Sequence, residues 1–248
     1  MKIKKIFSIL TVLLTSVFLS ACQLPFVNVI RGSGNLISDT RQVSDFNEIR
    51  LDGAGRLFIT QGTDESLEIE AEDNIIDQLT SEVQENTLIL GYKDEPWSTT
   101  VIPTNGITYT LTVKDLTGIT INGAGDLELD PLETPSLDVE INGAGQMDID
   151  ALEAESLSVH IAGTSTISIA GKVSSQDIII DGAGNYQAGD LETDTTSIEI
   201  NGIGNATVWA MDTLEINIDG GGTVNYYGTP SVTQDINGLG DINNRGEK

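Results

Sequence analysis

Apolar and polar residues alternate with a period of two along most of the chain. Leu137, Val139 and Ile141 are followed by Met147 and Ile149, and the order returns in Leu157, Val159, Ile161, Ile167 and Ile169. That period predicts β-strands with an inward apolar row and an outward polar row. Each stretch is interrupted by one short pattern: an apolar residue, Asn or Asp, Gly, a small residue, Gly. Copies begin at Ile30, Leu51, Ile121, Ile141, Ile161, Ile180, Ile200, Ile218 and Ile236, and from Ile121 the steps are 20, 20, 19, 20, 18 and 18. Strand alternation repeated at such a period predicts stacked coils with one continuous core. Helix-period runs of useful length are absent, so helical and leucine-rich solenoids fit poorly. The expected fold is all-β: a right-handed parallel β-helix of 18- to 20-residue coils, its hand following the rule for parallel crossovers. At ~4.8 Å per coil the seven regular copies would build a rod of about 30 Å.

The repeated pattern holds 17 of the 26 glycines, which marks a backbone requirement. The paired positions are Gly53 and Gly55, Gly123 and Gly125, Gly143 and Gly145, Gly182 and Gly184, Gly202 and Gly204, Gly220 and Gly222, and Gly238 and Gly240, with Gly32 and Gly34 in the first copy and Ser165 replacing the second glycine of the fifth. Such glycines imply either positive φ or backbone packing too close for a Cβ, so each copy is expected to be the same corner of a coil. The residue before the first glycine is Asp52, Asn122, Asn142, Asp181, Asn201, Asp219 or Asn237, with Arg31 and Ala162 as exceptions. Stacked coils would turn these into a ladder of Asn and Asp side chains hydrogen-bonding along the corner. A calcium roll is the competing reading, but it needs Asp at one fixed offset. The residue after the second glycine varies among Asn35, Arg56, Asp126, Gln146, Thr166, Asn185, Asn205, Thr223 and Asp241. No repeating oxygen cage results, and no metal is expected.

The first 22 residues depart from the pattern. Lys2, Lys4 and Lys5 precede an apolar run from Ile6 to Leu19, and Leu19-Ser20-Ala21-Cys22 follows. This reads as a lipoprotein signal peptide over residues 1–21 ending in a lipobox, too short for a comfortable membrane span. Cys22 would be the first mature residue and the lipidation site, and several acyl chains on one terminus give stable anchoring. It is the only cysteine, so no internal disulfide is expected. Gln23 stands where many Gram-negative inner-membrane lipoproteins carry Asp, which favours the outer membrane if the cell has one. The expected placement is extracytoplasmic, anchored to the cell envelope.

Charge narrows the partners. The chain carries a formal charge of -26, and removal of residues 1–21 deletes three lysines and no acids, giving -29. Nucleic acid and anionic lipid headgroups are poor partners for such a surface. Between Asp115 and Gly240 the one basic residue is Lys172, against about twenty carboxylates. Such a surface ordinarily just solvates the fold; it could also hold divalent cations loosely or face a cationic partner.

Residues 22–29 read as a lipidated tether, with 30–248 as one domain. Regular coils are expected over 119–244 and an irregular insert over about 60–118. Within that insert Leu67 to Ala71, Thr87 to Tyr92 and Ile107 to Val113 are strand-like, and Ile75, Ile76 and Leu79 suit a short helix. The insert could form three wider coils or a small sheet capping the solenoid. Lys93 to Ser98 reads as an exposed loop in which Trp97 is expected to pack, and the polar segment Asn243 to Lys248 suits the blunting of an exposed β edge.

The lipobox, the segment Phe46-Asn47-Glu48-Ile49-Arg50-Leu51-Asp52-Gly53-Ala54-Gly55, the following Ile59-Thr60-Gln61-Gly62 and the Ile-Asn-Gly-Ala-Gly copies at 121 and 141 resemble the GIN-domain family. That family is described as an autotransporter adhesin head domain, and its members are commonly bacterial envelope lipoproteins. The resemblance runs from about residue 44 to 240. It implies a β-helical fold and an adhesive role, and it carries over no catalytic or binding residues. The copy Ile161-Ala162-Gly163-Thr164-Ser165 departs from the pattern, implying a local irregularity.

β-Helices also host enzymes on polysaccharides, so the fold alone does not exclude catalysis. A lyase needs cationic groups that this face lacks apart from Lys172. A glycoside hydrolase needs two carboxylates at suitable separation, and Asp126, Glu128, Asp130, Asp148 and Asp150 could supply them if neighbouring coils align. Strand alternation instead makes these residues outward and solubilising. His160, the only histidine, points outward and has no partner motif, so Cys and His ligation of a metal is excluded by count. The sequence therefore supports a lipid-anchored, non-catalytic binding or structural module without cofactors, held to a membrane through Cys22, with an envelope ligand of protein or glycan type. The alternatives are a glycoside hydrolase and an envelope scaffold or sensor that engages a protein.

Overall fold

The computed structural model describes residues 28–93 and 99–248. Cys22, the signal peptide and Trp97 lie outside the described residues.

From residue 118 onward the chain winds as a parallel β-solenoid in which the strands flanking each corner pair in register with those of the next coil, and the register shifts on the far side of the coil absorb its varying length. The strand before the corner, Ser136–Ile141, pairs with residues 156–161, these with 175–180, then 195–200, 213–218 and finally 231–236. The strand after the corner builds a second sheet from 124–129 through 144–149, 164–169, 183–188, 203–208 and 221–227 to 239–244. The inward row follows from this register. Leu51, Ile121, Ile141, Ile161, Ile180, Ile200 and Ile218 form one buried aliphatic column, each side chain contributing roughly 1.5–3 kcal/mol by burial.

The corners are set by close approach. None of the stacked corner glycines has positive φ. A Cβ on Gly143 would lie 1.7 Å from the carbonyl oxygen of Gly123, because each corner rests its backbone on the one below. Successive corners are also joined by backbone bonds such as Asn142 N–H to Ile121 O (2.9 Å) and Ala144 N–H to Gly123 O (2.9 Å). Of the two origins open in the sequence, the crowding of stacked backbone is the one realised.

One expectation is corrected here, and one alternative left open by the sequence is decided for the capping sheet. The copy at Ile30 is not a corner of the stack. Its strand Asn28–Arg31 pairs with Thr99–Ile102 in a separate two-stranded sheet, and its Gly34 does have positive φ, 88°. Nor does the long motif-free interval form wider coils. Leu51 pairs directly with Ile121 and residues 54–59 with 124–129, so the chain completes that coil, leaves the solenoid after Gln61 and returns one rung away. The residues between build a cap. Thr87–Tyr92 and Thr108–Val113 extend the two sheets by one parallel strand each. Leu79–Gln84, Ser66–Glu72 and Leu36–Arg41 then add antiparallel strands. A 3-10 turn over Ile76–Gln78 follows buried Ile75 and closes the core, together with Leu79.

Candidate functional site

The corner residues meet along one edge of the rod. Asn122 Nδ2 donates to Asp52 Oδ1 (2.6 Å), Asn142 Nδ2 to Asn122 Oδ1 (3.0 Å), Asn201 Nδ2 to Asp181 Oδ1 (2.9 Å) and Asn237 Nδ2 to Asp219 Oδ1 (3.1 Å). The ladder is directional and comes in three pieces. A carboxylate accepts but cannot donate, so each piece starts at an Asp, and Ala162 separates the first piece from the second. His160 Nε2 lies 2.8 Å from Asp181 Oδ2. The Asp181 carboxyl is held below its ordinary value, first by the Asn201 bond and then by His160. The irregular coil at 161–165 remains in register, but the buried Ser165 hydroxyl there has no hydrogen-bond partner.

The outward face of the second sheet carries the richest chemistry. Its residues alternate with the buried row, so neighbouring coils align Asn185 with Asn205, Gln187 with Thr207 and Trp209 with Tyr227. A cleft of about 760 Å³ crosses this face, lined among others by Asp148, Asp150, Asn205, Thr207, Asn225 and Tyr227. One end of it is filled by the chain itself. Lys248 Nζ donates to Gly189 O and Asp190, and lies 5.4 Å from the Trp209 ring centre and 5.3 Å from that of Tyr227. Arg245 donates to Asn225 Oδ1 from both Nε (3.0 Å) and Nη2 (2.7 Å). The tail thus folds along the face, correcting the expectation that Asn243 to Lys248 would blunt the end of the sheet. Guanidinium and ammonium groups are drawn to the amide, carboxylate and aromatic groups that the alternation turns outward.

Four of the five candidate hydrolase carboxylates also stand on this strand stack, and Asp130 follows directly after the strand Ala124–Leu129. Register places Glu128 beside Asp148 on adjacent coils, and Asp148 and Asp150 line the cleft, whereas Asp126 borders a different groove beside Gly125 and Gly145. Asp126, Glu128, Asp130 and Asp150 are exposed. Asp130 accepts from Thr60 Oγ1 (2.7 Å) and Asp148 from Gln146 Nε2 (2.8 Å). Lys172 pairs with Glu192 at 2.6 Å, which raises its pKa. Among the described residues no group of three or more His, Cys, Asp or Glu is arranged to hold a metal ion.

Two polar clusters had no visible signal in the sequence. Glu72 is fully buried in the cap, where its carboxylate accepts from Gly34 N–H and Thr104 N–H, both at 2.9 Å, and from the Thr104 hydroxyl. Thr104 is the main cause of its lowered pKa, with burial opposing and the backbone amides assisting. Strand parity turns Glu72 to the same side as exposed Glu68 and Glu70, and only the folding over of residues 32–34 and 104–105 buries it. The second cluster lies inside the solenoid. Tyr186 Oη donates to Gln176 Oε1 (2.8 Å), Gln176 Nε2 donates to Thr196 Oγ1 (3.0 Å), and Thr193 joins Thr196 at 2.6 Å. The Trp209–Tyr227 pair was in principle legible, since the two residues stand one 18-residue step apart.

A family model described as "Putative auto-transporter adhesin, head GIN domain" matches residues 45–230. The chain belongs to this family. Solved structures agree with the fold. A putative adhesin of Bacteroides fragilis is 29% identical, with a TM-score of 0.82 over 87% of this chain and 99% of its own. A putative lipid binding protein of Parabacteroides distasonis is 22% identical, with a TM-score of 0.69 over 88% and 99%. A putative adhesin of the same species is 23% identical, with a TM-score of 0.67 over 88% and 100%. A comparison with curated proteins finds no match. The GIN family and its adhesin members support an adhesin-like binding module exposed outside the cell or on its envelope.

Proposed function

We propose that this GIN-domain chain is a non-catalytic adhesin anchored to the cell envelope by lipid on Cys22, and that it binds its ligand through the outward face of the second sheet. The observation that carries the reading is that face itself. Rows of amides and hydroxyls from Thr166, Asn185, Gln187, Asn205 and Thr207 lie beside a shallow cleft with an aromatic end. Such a surface offers many equivalent weak contacts to a glycan or protein. Recognition distributed in this way changes little with a single side chain and declines as coils are removed.

The test is a glycan and protein array probed with the chain from residue 22 carrying Cys22→Ser. Asp148→Ala and Asp150→Ala should leave binding nearly unchanged, and deletion of whole coils should weaken it stepwise. For the anchor, Cys22→Ser should move the protein out of the detergent phase and remove its acyl mass. The in-register carboxylates Glu128 and Asp148 favour one competing reading, a glycoside hydrolase. Reducing-sugar release that disappears in Asp148→Ala would establish that reading and overturn ours.

A further inference from the structure

The two ends of the rod are unlike. At the cap the core is closed by Ile75, Ile76 and Leu79, all buried, and of the two outermost strands Leu79–Gln84 runs against the coils and Leu36–Arg41 with them. At the far end, strands Ser231–Ile236 and Leu239–Asn244 pair only with the coil before them among the described residues. Their inward side chains include Val232 and Ile236, still 36% and 37% exposed. Leu239, beside the corner, is 85% exposed. The tail that could have covered this end turns back toward Asn225 and Asp190.

The backbone of these two strands is bare in a regular way. Asn237 N–H bonds to Ile218 O, while Leu239 N–H and Arg245 N–H bond to Gly220 O and Tyr226 O on the preceding coil. Strand alternation therefore aims the amides of residues 232, 234 and 236, and of 240, 242 and 244, out of the end of the rod. Such edges are usually blunted by Lys, by Pro or by a bulge. Neither strand contains Lys, Arg or Pro, and the only charged side chains are Asp235 and Asp241.

We infer that this open end is a self-association surface whose partner is a second copy of the same chain, joined end to end. The topology identifies the partner. One strand runs toward the Asn237–Gly238 corner and the other away from it. A two-fold axis through that corner, perpendicular to the rod, lays each strand antiparallel on the opposite strand of the second copy. Both edges are then paired at once, with about six hydrogen bonds per strand pair, and the two apolar rows meet inside. This is an isologous contact, which closes at two copies. An extended peptide could fill only one edge. The cap of another copy presents no corner, and its two outer strands run in opposite senses relative to the coils, so it does not match a whole coil end. The inference rests on the anchored-adhesin reading in one respect: strand Asn28–Arg31 lies in the cap, so the two anchors would sit at opposite ends of the pair, in two facing membranes. The ligand of the adhesin, or one of its ligands, is then its own copy on another cell.

The experiment is sedimentation velocity on the chain from residue 22 carrying Cys22→Ser, up to about 100 µM. A monomer–dimer equilibrium is expected. It should strengthen with added salt, because Asp235 and Asp241 of both copies are brought together and their repulsion is screened. Gln234→Pro deletes an outward amide without breaking a bond to the preceding coil, and Val232→Lys places an edge-blocking charge without changing the backbone. Each should weaken the dimer at least about tenfold, while circular dichroism and melting at dilute, monomeric concentration show the fold retained. A chain that stays monomeric, or a dimer indifferent to both variants, overturns the inference. Array binding by the Gln234→Pro monomer tests the side-face reading separately, so the two can fail independently.

Discussion

The regular coils and the cap solve the same problem by opposite means. Each coil from residue 118 on lies in register on a neighbour 18 to 20 residues away, so one corner geometry and one aliphatic column serve repeatedly. The cap is assembled from pairings between distant segments, such as Leu36–Arg41 with Ser66–Glu72, and is tied together at a single buried carboxylate. Repetition makes the coils tolerant of an altered side chain and intolerant of added backbone volume. The cap has the reverse sensitivity.

The largest effect should come from crowding a corner. Gly143→Val forces a side chain against Gly123 O and should cost more than about 3 kcal/mol, whereas Val at exposed Ala144 should stay within about 0.5 kcal/mol. Equal thermal melts for the two variants would remove backbone contact as the reason for the corner glycines.

The cap should fail separately when Glu72 changes to Gln, which replaces one of the two accepting oxygens by an amide donor and sets it against the N–H of either Gly34 or Thr104. Hydrogen exchange should then accelerate over 28–41 and 99–105 while the coils stay protected. The wild-type cap should also be acid-sensitive. Because the folded pKa is depressed, the stabilisation is complete above the ordinary value of 4.5 and is lost as pH falls through the lower folded value. Glu72→Gln should abolish that local acid transition. Loosening of the coils to the same extent would show that cap and coils are one cooperative unit.

A smaller loss is expected inside the solenoid. Tyr186→Phe leaves the buried Gln176 carbonyl without its donor and should cost about 1–3 kcal/mol in a chemical denaturation series. The smallest effect has the opposite sign. Ala162→Asn restores a donor beside Asn142 and should add about 0.5–1 kcal/mol, because it joins one more rung to the first piece of the ladder. No gain in Tm would show that the ladder follows the corner without stabilising it.

The coils were open to sequence reasoning because each repeats one local rule. Inward Leu137, Val139, Ile141, Met147 and Ile149 are all buried, as their alternation predicts, and the Ile-Asn-Gly-Ala-Gly spacing states the coil length directly. The side-face groups followed the same parity, which is why Asn185 and Asn205 could be aligned from their 20-residue step. The first copy at Ile30 shows where such reasoning stops. It has the paired glycines, though Arg31 in place of Asn or Asp, and no neighbouring coil for them to stack on.

The sequence by itself determined the strands, the period, the core-facing row and the family, because period-two alternation and corner glycines act over a few residues and recur. Tertiary structure alone decided that Leu51 rests on Ile121 across seventy positions, that Glu72 is enclosed by loops from both sides, that Lys248 turns back onto Trp209 and Tyr227, and that the last coil is left open. Each of these joins segments with no shared spacing. The pairing is selected by which surfaces remain unburied once the local elements have formed, and that selection leaves no periodic mark on the chain.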